Sequence, residues 1–170
     1  MSLSPELASA AERVARLLIE RGETVGVCES AAGGLISATL LSVPGASAYF
    51  VGGCVMYTGK ARSFFEGLAP MPSGLRGATE EFARFEASTI TERLGSTWGI
   101  GETGAAGPSG NPYGDPAGHA WVGVAHADGR LLTVHILTGR NDRVANMEAF
   151  ALAALDLLEQ QLSSASGAPS

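Results

Sequence analysis

Four short stretches hold the residue types from which a small-molecule site can be built. The first, Glu29-Ser30-Ala31-Ala32-Gly33-Gly34, sets a serine between a β-rich run and a helical one. A hydroxyl there faces a helix N-terminus, where unpaired backbone N–H groups and the macrodipole favour negative charge. The amides of Ala32 or Gly33 would then act as oxyanion donors, and Gly33 and Gly34 would let a ligand approach the backbone. The alternative is that Ser30 is an N-cap. The second stretch, Gly104-Ala105-Ala106-Gly107-Pro108-Ser109-Gly110, is a glycine-rich loop after a strand, a phosphate or carboxylate cradle or else a plain wide turn. The third, Tyr57-Thr58-Gly59-Lys60-Ala61-Arg62, offers a phenol and two cations at a strand end, where α/β sites gather. Its alternative is a solvated first helical turn. Arg140 and Arg143, near the start of the last helix, add further cations or surface charge.

The elements that must position these groups are legible from capping and periodicity. Ser4-Pro5-Glu6 opens a helix whose stripe is Leu7, Ala11, Val14 and Leu18, closed by Arg21-Gly22. Residues 24–28 read as a buried strand, 35–42 as a helix broken by Pro44-Gly45, and 49–57 as a strand with an irregularity at Gly52-Gly53. A short helix is expected over 58–68 and a loop over 69–78. Thr79-Glu80-Glu81 starts a helix with Ala83, Ala87, Ile90 and Leu94 on one face. Strand 97–103 and the loop 104–118 follow. A hairpin of 120–127 and 130–137 turns at Asp128-Gly129, a type I′ signal. The last helix, 141–162, carries Met147, Phe150, Ala154 and Leu158, and the tail from Ser163 is expected to fray. Helices alternating with strands, plus one hairpin, predict an α/β fold. It is a three-layer α/β/α sandwich with a mixed sheet of about five strands, in a single domain over 1–170 with its core at about 5–162.

Composition narrows the function classes. The chain is 170 residues, 45% hydrophobic and 16% charged, with 23 glycines, as in a compact enzyme with tight loops. A net charge of −6 argues against nonspecific DNA or RNA binding, which needs a basic surface. No apolar run reaches the roughly 18 residues of a membrane helix, and the acidic N-terminus lacks the basic region of a secretory signal. Cys28 and Cys54, the only cysteines, lie in apolar runs and read as buried thiols of a cytoplasmic protein. His119, His126 and His135 form no ligand spacing, so no metal is expected.

Five motifs now fall in order: Glu29-Ser30-x-x-Gly33-Gly34; Pro44-Gly45-Ala46-Ser47-Ala48; Tyr57 with a cation five residues on; Thr103-Gly104-x-Ala106-Gly107-Pro108-x-Gly110; and Pro116-x-Gly118. Over about residues 5–160 the chain resembles the C-terminal domain family of the CinA proteins, the nicotinamide-nucleotide amidohydrolases. The resemblance implies hydrolysis of nicotinamide mononucleotide to nicotinic acid mononucleotide and ammonia. It implies a small-molecule nucleotide as partner, no cofactor and a homo-oligomer, in a chain without the larger N-terminal domain of full-length members. It maps the serine nucleophile to Ser30, the nearby tyrosine to Tyr57, a second site serine to Ser47 and the loop threonine to Thr103. The nucleotide-holding arginine maps to Arg140 or Arg143. Two departures stand out. The family motif Glu-Ser-Cys-Thr-Gly-Gly is altered at Ala31 and Ala32. The family lysine base is Arg62 here, and a guanidinium stays protonated and cannot take the serine proton. Lys60 is close in sequence, but two helical residues turn it by about 200° from position 62. Two rivals follow: a nucleotide-binding domain without hydrolysis, and an interaction protein in competence or DNA-damage responses, against which the acidic composition counts.

Overall fold

The computed structural model describes residues 3–66 and 72–164, with the backbone alone for Arg62, Phe64, Phe65 and Glu66. The predicted helix end at 67–68, the loop start at 69–71 and the tail beyond Ser164 lie outside the described residues. The elements are α1 (Pro5–Arg21), β1 (Val25–Glu29), α2 (Leu35–Leu41), β2 (Phe50–Val55), α3 (Gly59–Glu66), α4 (Glu80–Leu94), β3 (Trp98–Ala105), β4 (His119–His126), β5 (Leu131–Leu137) and α5 (Arg143–Ser164). Local chemistry explains their ends. The Ser4 hydroxyl accepts the Leu7 amide and Gly22 closes α1 in the left-handed region. Thr79 caps α4 by accepting the Phe82 amide. Asp142 caps α5 by accepting the Ala145 amide at 3.0 Å.

The five strands form one sheet in the order β2-β1-β3-β4-β5. β1 is parallel to β2 and β3, and β3-β4-β5 run antiparallel. The expected mixed sheet is therefore present, and helices cover both faces. Val25, Val27, Ile100, Val122 and Val124 meet α1, α2 and α5 in the main apolar core. The other face is glycine-lined and carries α4. A Cβ on Gly99 would lie 2.4 Å from the Ala87 carbonyl, and one on Gly101 would lie 2.4 Å from that of Ala83. The helix backbone thus rests almost on the sheet, a closeness that side chains at these positions would forbid.

Two local expectations need correction. The irregularity in β2 is at Val51, which is skipped between the pairs Val25–Phe50 and Gly26–Gly52, one residue before the two glycines. The hairpin does not turn as type I′. Ala127 and Asp128 keep negative φ, the Gly129 amide donates to the His126 carbonyl, and Gly129 alone is left-handed at φ 95°. That is a type I turn followed by a glycine, which spares Asp128 the left-handed region. The stripe expected on α4 does face the sheet: Ala83 and Ala87 are buried, the half-buried Ile90 and Leu94 pack over Gly26, and Phe82, Glu86 and Thr91 widen the buried face. Cys28 and Cys54 are free thiols facing each other across β1 and β2. No helix among the described residues is long and apolar enough to cross a membrane.

Candidate active site

Ser30 follows β1 directly, where the chain leaves the sheet. Its hydroxyl borders a cleft and donates to the Glu102 carbonyl at 3.3 Å. The helix end nearby is already occupied. The buried Glu29 carboxylate accepts the amides of Gly34, Ile36 and Ser37 at 3.0, 3.1 and 3.0 Å, and the Ser37 hydroxyl at 2.7 Å. Glu29 thus neutralises the N-terminus of α2, and Gly34 stands at its N-cap position. Ser30 is neither the cap nor the group facing that dipole. The proposed oxyanion donors are engaged as well: the Ala32 amide donates to Glu102 Oε2 at 2.9 Å and the Gly33 amide to the Ser30 carbonyl at 3.1 Å. Gly33 and Gly34 do not border the cleft. They turn the chain at φ 67° and 96°, and a Cβ on Gly33 would lie 2.8 Å from Met147 Cε on α5.

The cleft encloses about 400 Å³ at the C-terminal ends of the parallel strands, with Ser30, Tyr57, Thr103, Gly107, Tyr113 and Arg143 among its lining residues. That volume suits a small ligand, for which pockets of about 300–1,000 Å³ are usual. Ser30, Tyr57 and Thr103 therefore converge as the sequence predicts. Between the two candidate arginines the geometry selects Arg143. Its Nη1 donates to the Gly107 carbonyl at 2.6 Å and its Nη2 to the Tyr57 hydroxyl at 2.9 Å. Arg140 is exposed and borders a separate groove with Ser4 and Glu6. Gly104 and Gly110 line the cleft, but packing also demands them. A Cβ on Gly104 would lie 2.5 Å from the His119 carbonyl, and one on Gly110 would lie 2.3 Å from that of Asp115.

Other candidates fall elsewhere. Ser47 is exposed on a 3₁₀ turn ahead of β2, at the N-terminal end of the parallel strands. The length of β2 separates it from the cleft, roughly 20 Å at about 3.3 Å per residue. Lys60 is exposed on the first turn of α3 and does not line the cleft. Arg62 is in α3, and its side chain lies outside the described residues. Among the described residues, the Ser30 hydroxyl bonds to no amine or imidazole.

Sequence reading missed three groups. Glu102 is fully buried on β3, and its Oε2 accepts the amides of Ser30 and Ala32. Burial pushes its titration up to about 7, against the pull of those two amides, and the Glu29 charge adds to the rise. Its signal was a lone carboxylate in Trp98-Gly99-Ile100-Gly101-Glu102, an otherwise uncharged buried run. Asn146 is fully buried and donates to the carbonyls of Ala106 and Arg140, tying the glycine loop to α5. His119 holds the Ala78 carbonyl at the cleft wall, 2.9 Å away, and its Nδ1 meets His135 Nε2 at 2.9 Å. Burial lowers the His135 pKa, and the neighbouring His119 adds to this. These histidines are sixteen residues apart, and only the hairpin joins them.

A family model for the CinA C-terminal domain matches residues 7–162. The chain belongs to the CinA C-terminal domain family. Relatives of this CinA-family chain include a CinA-like protein of Desulfosudis oleivorans, 38% identical over 150 residues that cover 88% of this chain and 36% of that protein. A Synechocystis CinA-like protein is 42% identical over 131 residues, covering 76% and 31%. The chain spans about a third of the length of these curated relatives. Among solved structures, the competence/damage inducible protein CihA from Agrobacterium tumefaciens superposes with a TM-score of 0.85 at 28% identity, covering 96% of this chain and 99% of that one. A CinA superfamily protein from Klebsiella pneumoniae 700603 gives 0.85 at 25% identity, covering 93% and 98%. Every motif position discussed above lies inside the stretch that the CinA model matches.

Proposed function

We propose that the chain is an amidohydrolase of a nicotinamide nucleotide, with Ser30 as nucleophile. One observation carries this reading: a serine hydroxyl, the Tyr57 phenol and the Arg143 guanidinium border one cleft of small-ligand size in a CinA-family chain. Ser30 Oγ would attack the carboxamide carbon of nicotinamide mononucleotide, ammonia would leave, and water would release nicotinic acid mononucleotide from the acyl-enzyme. Arg143 is a fork suited to a phosphate, and the tyrosines at the cleft offer aromatic surface to a ring.

A second reading, nucleotide binding without turnover, has its own support. The Ser30 hydroxyl donates to a carbonyl, which takes no proton, and Lys60 stands away from the cleft. Arginine at position 62 supplies no base in lysine's place. Ammonia release from nicotinamide mononucleotide, run beside calorimetry, separates the two. Binding with turnover abolished in Ser30→Ala supports the amidohydrolase. Binding without turnover supports the second reading. No binding of nicotinamide mononucleotide, nicotinic acid mononucleotide or AMP at millimolar concentration removes both and favours an interaction role in competence or damage responses.

A further inference from the structure

Glu102 is the one charged residue of the buried strand β3, and a buried carboxylate is expensive unless its oxygens are matched by donors. Only half of this one is matched. Oε2 accepts two amides, from Ser30 at 3.0 Å and Ala32 at 2.9 Å. Oε1 has no partner among the described residues. Glu102 also grips Ser30 a second time, since its backbone carbonyl accepts the Ser30 hydroxyl at 3.3 Å. One residue therefore fixes both the amide and the side-chain rotamer of Ser30.

We propose that Glu102 is the positioning residue of Ser30: its ionised carboxylate holds the Ser30–Ala32 turn and aims the Ser30 hydroxyl at the cleft, and its protonation loosens that turn. The effect on turnover rests on reading Ser30 as the nucleophile; the coupling of Glu102 to the turn does not. Protonation cannot leave the arrangement as it is. A proton on Oε2 would face two N–H donors, and a proton on Oε1 would be a buried O–H with no acceptor. Either way the hold on the two amides weakens: a proton on Oε2 displaces a donor, and a proton on Oε1 leaves Oε2 a neutral acceptor, which binds N–H groups less strongly than a carboxylate does.

The surroundings set where this happens. Glu29 on β1 is the charged neighbour that acts on Glu102, and its own carboxylate is pinned to α2. β4 places Val122 opposite Glu102, and the buried residues of α1, α2 and α5 carry no charge. Burial and this like charge bring the titration to about 7. The transition thus falls where modest changes of pH act.

Amide proton–nitrogen NMR spectra of the whole chain between pH 5 and 9 test the coupling. The amides of Ser30 and Ala32 should move together in one step with its midpoint near 7, to lower field on the ionised side. Glu102→Gln, which keeps an acceptor for both amides, should abolish that step. On nicotinamide mononucleotide, kcat should fall about tenfold per pH unit below the midpoint with KM unchanged, and Glu102→Gln should flatten the profile. The absence of a step in wild type, or its persistence in Glu102→Gln, overturns the proposal. The wild-type titration decides the matter even if the variant misfolds. An amide step without hydrolysis at any pH supports the coupling and removes the amidohydrolase reading instead.

Discussion

Arg143→Ala would remove a fork that joins the Gly107 carbonyl to the Tyr57 hydroxyl across the cleft. If that fork receives the phosphate, affinity for nicotinamide mononucleotide drops about 10- to 100-fold by calorimetry, the worth of one or two charge-assisted hydrogen bonds. Lysine at 143 restores little, because a point ammonium cannot hold two partners in one plane. Ser30→Ala should leave binding intact and abolish ammonia release. Arg62→Lys should raise turnover by about 10², the usual worth of a general base; an unchanged rate in a folded, ligand-binding variant would mean the site has left this chemistry. Glu102 yields a stability prediction with a definite sign. Its folded pKa, about 7, stands above the unfolded value of 4.5, so stability is fullest below 4.5 and is lost as pH rises through 7. The loss is about 3 kcal/mol at most. Urea unfolding at pH 5 and pH 8 should differ by that much more in wild type than in Glu102→Gln, which should be the more stable of the two at pH 8. Ser30, Tyr57 and Thr103 were legible because each sits just past a strand or near its C-terminal end, and Arg143, at a helix start, was legible only as one of two arginines. Glu102 was not, because its meaning depends on Ser30, seventy-two residues away.

At the scale of elements, the β1–α2 junction is where sequence reasoning went astray and also where it left a usable clue. The motif suggested a serine facing a bare helix end, but the preceding Glu29 folds back and takes that end itself. Local sequence cannot reveal this, since an acidic residue six positions ahead of a helix has no fixed reach. Glu29→Ala would leave three amides of the first turn of α2 without their acceptor. The expected cost is at least about 2 kcal/mol in denaturant midpoint experiments, given the penalty for unsatisfied buried donors. The α4 face carries a different lesson. Glycines at 99, 101 and 123 look like weak points of strands when read alone, yet they admit the helix backbone to the sheet. Gly101→Ala should therefore destabilise by about 1–3 kcal/mol through overpacking, and thermal unfolding would register it. An unchanged melting temperature would mean α4 can lift away freely. The starts and stops of α1 and α4 were readable because Ser4, Thr79, Gly22 and Gly95 act within one turn of their own position.

Seen as a whole, the molecule gathers its cleft from segments far apart in sequence: the β1 exit, the β2 exit, the glycine loop after β3 and the start of α5. The alternation of helices and strands made the mixed sheet readable, and the parallel order β2-β1-β3 places those exits at one end. Ser47 was misplaced for the same reason, since motif order along the chain does not say which end of a strand a residue occupies. A cleft built this way should be stabilised by whatever fills it, because a ligand ties the four segments together. At a nucleotide concentration a hundred times its dissociation constant, linkage gives about 2.7 kcal/mol, or a rise of roughly 5–10 °C in melting temperature for a domain of this size. Nicotinamide mononucleotide should produce that rise in wild type. Ser30→Ala should retain it, because the change removes a reacting atom and leaves the walls. Arg143→Ala should lose most of it, because the cross-cleft fork is gone. An equal rise in all three proteins would place the ligand outside this cleft, and the apolar groove between α2 and α5, lined by Leu35, Val144 and Met147, would be the first alternative to examine.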